Sequence, residues 1–168
     1  MSKEEVGQIQ GERVVLTKYL AAHVPQYNAW MQDPALQEMT ASEPLSLEEE
    51  LDLQEDWEAD PKKWIFIVLD KTDSLKMVGD VNLFLHPYLQ PHEAELLVMI
   101  AEPSARRKGL ASEAISLMMG FARQHLTITR FIVKILSHNG PSIAMFQKMG
   151  FKQFEYVEAF DEISFVLE

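Results

Sequence analysis

Hydrophobic and polar residues along the chain form segments whose lengths and spacing are typical of β-strands. GERVVLTKYL alternates, with Val14 and Leu16 on one face and Val15 on the other, which predicts a first strand. Apolar runs bounded by charged residues predict buried strands. Three such runs follow in the middle of the chain: KWIFIVLD, KMVGDVNLFLH and EAELLVMIAE. RFIVKIL predicts a fifth strand, and FKQFEYVEAFDEISFVLE predicts two more at the end of the chain.

Two helices are predicted between the first and second strands. AHVPQYNAWMQD has apolar residues at helical spacing and ends at the breaker pair Asp33–Pro34. We expect the next segment, DPALQEMTASEPL, to be a polar loop. Ser46 and Glu49 then form an S-x-x-E capping box that begins the second helix. The predicted apolar face of this helix consists of Leu47, Leu51 and Trp57.

Two further helices follow the fourth and fifth strands. Apolar residues recur at helical spacing from Leu110 to Phe121, which predicts a long amphipathic helix. NGPSIAMFQKMG predicts a short helix with Pro141 in its first turn and Gly150 as its stop. The order β-α-α-β-β-β-α-β-α-β-β contains no repeat and no linker. It predicts an α/β (α+β) fold in which one domain spans residues 1–168.

The composition narrows the class of protein. With 47% hydrophobic residues, a chain of 168 residues can bury a substantial core. The absence of cysteine excludes a disulfide framework, thiolate catalysis and cysteine-ligated zinc, and it fits a reducing compartment. The first residues lack the apolar run of a signal peptide, and no apolar stretch reaches the roughly 20 residues of a membrane span. We therefore expect a cytoplasmic protein without membrane contact.

The net charge of −11 disfavours nucleic-acid binding, which requires a basic face. A negative surface could attract a cationic partner such as an amine or a basic peptide, or it could serve solubility alone. His86 and His92 bracket the loop PYLQP, and without carboxylates in register they do not form a metal site. We expect this loop to border a groove.

The stretch EPSARRKGLASEA places three of only fifteen basic residues in a row, between a strand and a helix. The first amides of a helix have no intrahelical partner, and the helix dipole is positive there, so this position suits an anion such as a pyrophosphate. Gly109 allows close backbone approach, Ala111 is small, and Arg106 could add charge-assisted hydrogen bonds. The spacing fits neither a GxGxxG nor a P-loop motif. The alternative is a basic helix entry that contacts only water.

Four segments, taken together, resemble a known family. Arg106-x-x-Gly109-x-Ala111 is similar to the [RQ]-x-x-G-x-[GA] pyrophosphate loop of the GNAT acetyltransferases, and NGPSIAMFQKMGF resembles their second cofactor segment. Trp30, Asp33–Pro34 and MVGDVNLF resemble the RimJ/RimL-type branch. With TASEPL, VMIAEPS and PSIAMFQK, the chain is most similar to the eukaryotic N-acetyltransferase 9 group. The resemblance covers nearly the whole chain.

The resemblance implies the GNAT fold, a mixed and mostly antiparallel sheet of about seven strands flanked by about four helices. It also implies that the sheet is splayed between the fourth and fifth predicted strands and that acetyl-coenzyme A binds in the gap. The cofactor's pantetheine arm would bond to the main chain of Val98, Met99 and Ile100. The other residues implied in cofactor binding are Arg106, Arg107, Lys108, Gly109, Leu110, Ala111, Ser112, Asn139, Ser142, Phe146 and Lys148.

Acetyl transfer from a thioester to an amine needs a proton acceptor and a stabilised oxyanion. We expect Glu95 to be the catalytic base. Alternation puts it on one face with Leu97 and Met99, where apolar surroundings would raise the pKa of its carboxyl. The alternative is a strand-edge glutamate that faces water, and Glu93 is a weaker candidate because it lies near the loop. A main-chain N–H between Val98 and Ile100 could stabilise the oxyanion.

One position departs from the family pattern. In much of the family a tyrosine of the second cofactor segment protonates the departing thiolate, and that position here is Phe146. A thiol of pKa about 8.5 can leave as a thiolate, or Tyr156 could act through water. We expect N-acetyl transfer to a primary amine, with a protein or peptide N-terminal α-amine as the expected acceptor, by direct attack on the thioester. The alternative is a protein that binds acetyl-coenzyme A as a non-catalytic scaffold.

Overall fold

The structure, a computed structural model, describes residues 1–168 and is organised around one eight-stranded sheet. The strand order is β1-β2-β3-β4-β5-β6-β8-β7, and every neighbouring pair is antiparallel except β5 and β6. The strands are β1 (Ile9–Gln10), β2 (Val14–Lys18), β3 (Lys63–Asp70), β4 (Lys76–Phe84), β5 (Glu93–Ile100), β6 (Arg130–Leu136), β7 (Lys152–Val157) and β8 (Glu162–Leu167).

The parallel pair β5 and β6 separates soon after it begins. The two strands pair at only three positions, Glu93 with Arg130, Ala94 with Phe131 and Glu95 with Ile132. On its other side, β5 stays paired with β4 as far as Ile100. The predicted fourth and fifth strands are β5 and β6, because the short β1 precedes the predicted first strand. The structure therefore confirms the predicted fold, a mostly antiparallel sheet that splays between these two strands.

Five α-helices flank the sheet, and the hydrophobic residues of the protein divide into two clusters. The larger cluster contains the buried residues of α4 and α5, and the smaller one contains those of α1 and α2 together with Met99 of β5. None of the helices has the length and hydropathy required to cross a membrane. The helices are α1 (Val24–Trp30), α2 (Pro34–Thr40), α3 (Leu47–Ala59), α4 (Leu110–His125) and α5 (Gly140–Lys148).

Helix α2 corrects the expectation of a polar loop after Asp33. The Asp33 side chain accepts a hydrogen bond from the N–H of Ala35, and Pro34 occupies the first helical position, where its missing N–H is not needed. Leu36 is the only residue that α2 buries. With one buried apolar position, the segment carries no helical period that the sequence could have revealed.

Helix α3 begins as predicted but buries a different face. Its capping box is present: the Ser46 hydroxyl accepts the N–H of Glu49, and the Glu49 carboxylate accepts the N–H of Ser46. The predicted apolar face is wrong at Leu47 and Leu51, which are exposed, whereas Trp57 packs against the smaller cluster. The buried residues of α3 are instead Glu50 and Gln54.

Hydrogen bonds hold this polar face of α3 against the rest of the protein. The Gln54 side-chain amide donates to the main-chain carbonyl of Tyr19 (3.1 Å), and the Asn28 amide donates to the Glu50 carboxylate (3.5 Å). Buried polar groups are stable when they are hydrogen-bonded in this way. The packing on the face of the sheet opposite α4 and α5 is therefore partly polar.

Candidate active site

The loop that carries the three basic residues leads from β5 into α4. Gly109, the last residue before the helix, has a φ of 77°, in the left-handed region that glycine adopts at little cost. Arg107 also lies in this region, with a φ of 63°. The amides of Leu110, Ala111 and Ser112 are the first of the helix and have no partner within it. The loop therefore offers main-chain donors and the positive end of a helix dipole to an anion.

Two of the three basic side chains in the loop are engaged with the protein itself. Arg106 donates from Nε to the carbonyl of Ile100 (2.9 Å) and from Nη2 to the carbonyl of Ala101 (3.2 Å), which ties the loop to the end of β5. Lys108 Nζ lies 3.4 Å from the carboxylate of Asp70. Hydrogen bonds from Arg106 to a bound anion thus stay a prediction, since its Nε and Nη2 serve the main chain.

A cleft of about 620 Å³ opens between the beginning of α4 and one face of α5. It brings together the two segments of the predicted cofactor site, which are about thirty residues apart in the sequence. Three of the predicted cofactor residues line it, namely Gly109, Ser112 and Lys148. The complete lining consists of Arg13, Gly109, Ser112, Glu113, Ser116, Pro141, Ala144, Met145, Lys148 and Met149.

Four other predicted cofactor residues lie near the cleft in sequence but do not line it. Leu110 and Phe146 are buried in the core, where the Phe146 ring packs edge-on against Phe151 at 5.1 Å between centroids. Asn139 Oδ1 accepts the N–H of Ser142 (3.4 Å) and so caps α5. These contacts explain the positions of the helices, and contacts of the four residues with a cofactor stay predictions.

The main chain of Val98, Met99 and Ile100 lies beside the splay. On one side it pairs with β4, which approaches so closely that a Cβ on Gly79 would lie 1.9 Å from the Met99 carbonyl oxygen. Glycine is therefore required at position 79. On the other side, pairing with β6 has ended at Glu95. Main-chain groups on this free side of β5 are available to an extended ligand.

Glu95 occupies the last position at which β5 and β6 pair. Its surroundings are not the apolar ones that alternation led us to expect. Its Oε1 lies 3.4 Å from His86 Nε2 and its Oε2 lies 3.3 Å from Lys134 Nζ. The side chain is 12% exposed, so it does not simply face water either. Glu95 is an ion-paired carboxylate at the point where the sheet opens.

The loop between β4 and β5 lies against Glu95 and Lys134. The rings of His86 and Tyr88 stack at 4.8 Å, and Lys134 Nζ lies 5.5 Å from the centre of the Tyr88 ring. Burial alone would lower the pKa of Lys134, but the neighbouring Glu95 carboxylate and Tyr88 raise it above its usual value. Lys134 is therefore a cation at neutral pH and orients the Glu95 carboxylate.

Asp80 is a second carboxylate on the face of Glu95, and our sequence analysis missed it. It lies in the middle of β4, pairs in register with Met99 and is only 2% exposed. Its Oδ2 accepts hydrogen bonds from the Tyr27 hydroxyl (3.1 Å) and the Asn82 amide (3.3 Å). Burial raises the pKa of Asp80 to about 6, although both hydrogen bonds oppose the rise. The available signal was a charged residue inside the apolar run MVGDVNLF.

Two buried polar atoms of the Asp80 neighbourhood have no hydrogen-bond partner, Asn82 Oδ1 and the Tyr19 hydroxyl. The Tyr19 ring lies 5.1 Å from that of Tyr27. Burial raises the pKa of Tyr19, and the nearby charges of Glu50 and Asp80 raise it further. A buried, ionisable carboxylate among unsatisfied polar groups is a candidate for function rather than for stability.

The Asp80→Asn variant is expected to be more stable than the wild type at pH 7 and equally stable at pH 4. The folded state binds the Asp80 proton more tightly than the unfolded state, in which the ordinary pKa is 3.8, so stability falls as the pH rises from about 4 to about 6. The destabilisation amounts to roughly 3 kcal/mol at neutral pH, and the amide removes most of it. Urea unfolding at the two pH values measures the difference.

Asp161→Asn is the matched control, with the opposite sign. Hydrogen bonds from Ser137 and Tyr156 lower the pKa of Asp161, so its ionised form stabilises the folded state and the variant is expected to lose stability at pH 7. An Asp80→Asn protein that gains no stability at pH 7, or gains the same stability at pH 4, would contradict the raised pKa of Asp80.

The hydroxyl of Tyr156, the alternative acid for the thiolate, donates its hydrogen bond to Asp161.

Known sequences resemble this chain over most of its length. The family described as "Acetyltransferase (GNAT) domain" matches residues 13–152. A Dictyostelium discoideum protein named N-acetyltransferase 9-like protein is 47% identical, over 92% of this chain and 82% of its own length. The human protein named alpha/beta-tubulin-N-acetyltransferase 9 is 44% identical, over 92% of this chain and 79% of its own.

Solved structures share the fold. RimL, the ribosomal L7/L12 alpha-N-protein acetyltransferase, aligns over 95% of this chain and 93% of its own with a TM-score of 0.80 at 17% identity. Spermidine N-acetyltransferase from Vibrio cholerae, in complex with CoA and spermine, aligns over 94% of this chain and 96% of its own, with a TM-score of 0.83 at 18% identity. At these identities the likeness concerns the fold alone.

Proposed function

Since the chain belongs to the GNAT acetyltransferase family and is an N-acetyltransferase, we propose that it uses acetyl-coenzyme A to acetylate the α-amine of a protein or peptide. One observation carries this proposal. The two helices that follow the splayed strands, α4 after β5 and α5 after β6, form the walls of one cleft, which supports a single site that joins the opening of the sheet to the N-terminal end of α4.

The residues around the cleft fit a large anionic cofactor. Arg13 and Lys148 supply positive charge, and Gly109 leaves the loop without a side chain that would fill the cleft. We propose that the amides of residues 110–112 hold its diphosphate and that the main chain of residues 98–100 holds its pantetheine arm. When bound, acetyl-coenzyme A supplies an activated acetyl thioester.

Glu95 is our proposed proton acceptor for the amine. It lies where β5 and β6 separate, on the face that carries α1, and Lys134 orients its carboxylate. The main-chain N–H groups between Val98 and Ile100, on the side that β6 leaves unpaired, are proposed to stabilise the charge that develops on the acetyl oxygen. The chain thus supplies both a proton acceptor and hydrogen-bond donors at one opening.

Asp80 is the second candidate for the proton acceptor. Its pKa of about 6 lies close to neutral pH, which suits a general base, and it pairs with Met99 of the proposed pantetheine segment. Its burial requires a water molecule or a movement of α1 to connect it with the amine. Separate turnover measurements on Glu95→Gln and Asp80→Asn distinguish the two, because the true base loses turnover when its carboxylate becomes an amide.

Three observations support a protein or peptide α-amine as the acceptor. The human relative is named for a protein substrate, tubulin. An α-amine has a pKa near 8 and a lysine amine one near 10.4, so a far larger fraction of α-amines is neutral and nucleophilic at pH 7. The net charge of −11 also favours the approach of positively charged peptides.

Release of free thiol from acetyl-coenzyme A tests the proposal. Purified protein is incubated with peptides that carry free N-termini, with spermidine, or with no acceptor. We expect peptides to accelerate thiol release at least 10-fold over the reaction without acceptor, and spermidine to have little effect. A preference for spermidine would contradict the acceptor class. Tight calorimetric binding of coenzyme A without turnover on any peptide would favour the non-catalytic alternative.

A further inference from the structure

The basic side chains that are free to contact a ligand in the cleft are only partly the ones that the sequence indicated. Two of the three loop cations are engaged, Arg106 with carbonyl groups and Lys108 with Asp70. The exposed side chains of Arg107, Lys148 and Arg13 form no ion pair. Of these, Arg13 belongs to neither of the two segments that the sequence assigned to the cofactor.

Arg13 reaches the cleft from the bend just before β2. Its Nη1 lies 2.9 Å from the position that a Cβ on Gly109 would occupy, so its guanidinium lies directly beside the left-handed glycine of the loop. It also lines the cleft together with Lys148 on the opposite wall. A guanidinium in this position can form bidentate hydrogen bonds to a phosphate group.

The main chain of Arg13 is fixed by partners on two elements. Glu113, in the first turn of α4, accepts the N–H groups of both Arg13 and Val14 through Oε2, at 2.8 and 2.7 Å. The carbonyl of Arg13 accepts the N–H of Lys71 (2.8 Å). Glu113 is the one acidic side chain in the cleft, and these two amides partly neutralise it. The protein thus anchors the Arg13 backbone to α4 and leaves the guanidinium without a protein partner.

We propose that Arg13 binds a phosphate of the nucleotide half of coenzyme A through guanidinium donors that no other group of the protein occupies. The inference rests on the proposed use of coenzyme A. The phosphate is either the diphosphate or the 3′-phosphate, and both offer the same oxygen acceptors to a guanidinium. Arg13 would therefore add a third part of the chain to the two segments that the sequence assigned to the cofactor. It lines the cleft beside the loop before α4.

Calorimetric dissociation constants for coenzyme A, dephospho-coenzyme A and pantetheine test this role with the Arg13→Gln variant. We expect Arg13→Gln to weaken coenzyme A binding about 10- to 100-fold at low salt, the loss typical of a charge-assisted contact. Pantetheine, which lacks all phosphates, should bind both proteins equally. A loss that disappears with dephospho-coenzyme A assigns Arg13 to the 3′-phosphate, and one that persists assigns it to the diphosphate.

Arg123→Gln is the matched control. It removes the same charge from the other end of α4, about 20 Å from the loop, where Arg123 lies over the Phe131 ring. This variant should bind coenzyme A like the wild type, and Arg13→Lys should recover part of the loss. Equal affinity of Arg13→Gln and wild type for coenzyme A would overturn the inference alone. A wild-type protein that binds no coenzyme A would instead overturn the proposed function.

Discussion

Replacing Gly109 by aspartate is expected to weaken coenzyme A binding at least 100-fold while the protein stays folded. The new side chain would begin 2.9 Å from Arg13 Nη1, in the lining of the cleft, and would place a negative charge among the amides that we propose hold the diphosphate. At a φ of 77° a non-glycine residue costs roughly 1–2 kcal/mol, which a domain of ordinary stability tolerates. Calorimetric binding and thermal unfolding measure the two effects.

Gly120→Asp controls for the change of glycine to aspartate. Gly120 lies on the exposed face of the same helix, and a Cβ there would meet nothing within 4 Å. We expect this variant to bind coenzyme A with wild-type affinity. If Gly109→Asp binds equally well, the loop before α4 is not the phosphate site, and the assignment of residues 110–112 to the diphosphate is wrong.

The second large effect is expected for Glu95→Gln, which should lower kcat about 100- to 1,000-fold. General bases typically contribute a factor of 10² to 10⁴, and the amide keeps the shape of the side chain but cannot accept the proton. The affinity for coenzyme A should change less than threefold, because the proposed phosphate site lies beyond the other end of β5. Steady-state kinetics with a saturating peptide, together with calorimetry, separate turnover from binding.

Glu155→Gln serves as the control for this substitution, because Glu155 is an exposed residue of β7 and lies outside the cleft. It should turn over at the wild-type rate. Wild-type turnover of Glu95→Gln would remove Glu95 as the base. If Asp80→Asn then lost turnover, the role would pass to the buried carboxylate of β4.

The sequence predicted most strands and the cleft-forming segments because their signals are local. Long apolar runs mark buried strands, and the motif from Arg106 to Ala111 needs only a turn between a strand and a helix. Helix α2 escaped prediction because it buries a single residue, Leu36. The apolar face predicted for α3 was wrong because Glu50 and Gln54 gain hydrogen-bond partners from distant elements, and composition cannot reveal those partners.

Tertiary contacts also determine which side chains of the candidate site are free to bind a ligand. The engagement of Arg106 and Lys108 depends on the end of β5 and on Asp70, and neither partner is visible from the motif. Glu113 holds the main chain of Arg13, a contact between residues 100 positions apart, and the Arg13 guanidinium lies beside Gly109 of the loop. Asp80 gave a weak local signal, a charge within an apolar strand. The motif correctly predicted a loop between a strand and a helix. Which basic side chains near that loop stay free of protein partners depends on tertiary contacts.

The position of the transferred acetyl group is the most direct test of the proposed N-terminal acetyltransferase activity. A peptide with a free N-terminus and an internal lysine is incubated with acetyl-coenzyme A and the protein, beside the same peptide with its N-terminus blocked, and tandem mass spectrometry locates the acetyl group. We predict one acetyl group on the α-nitrogen of the free peptide and none on the blocked one. Acetylation of lysine in both peptides would contradict the proposed specificity for α-amines.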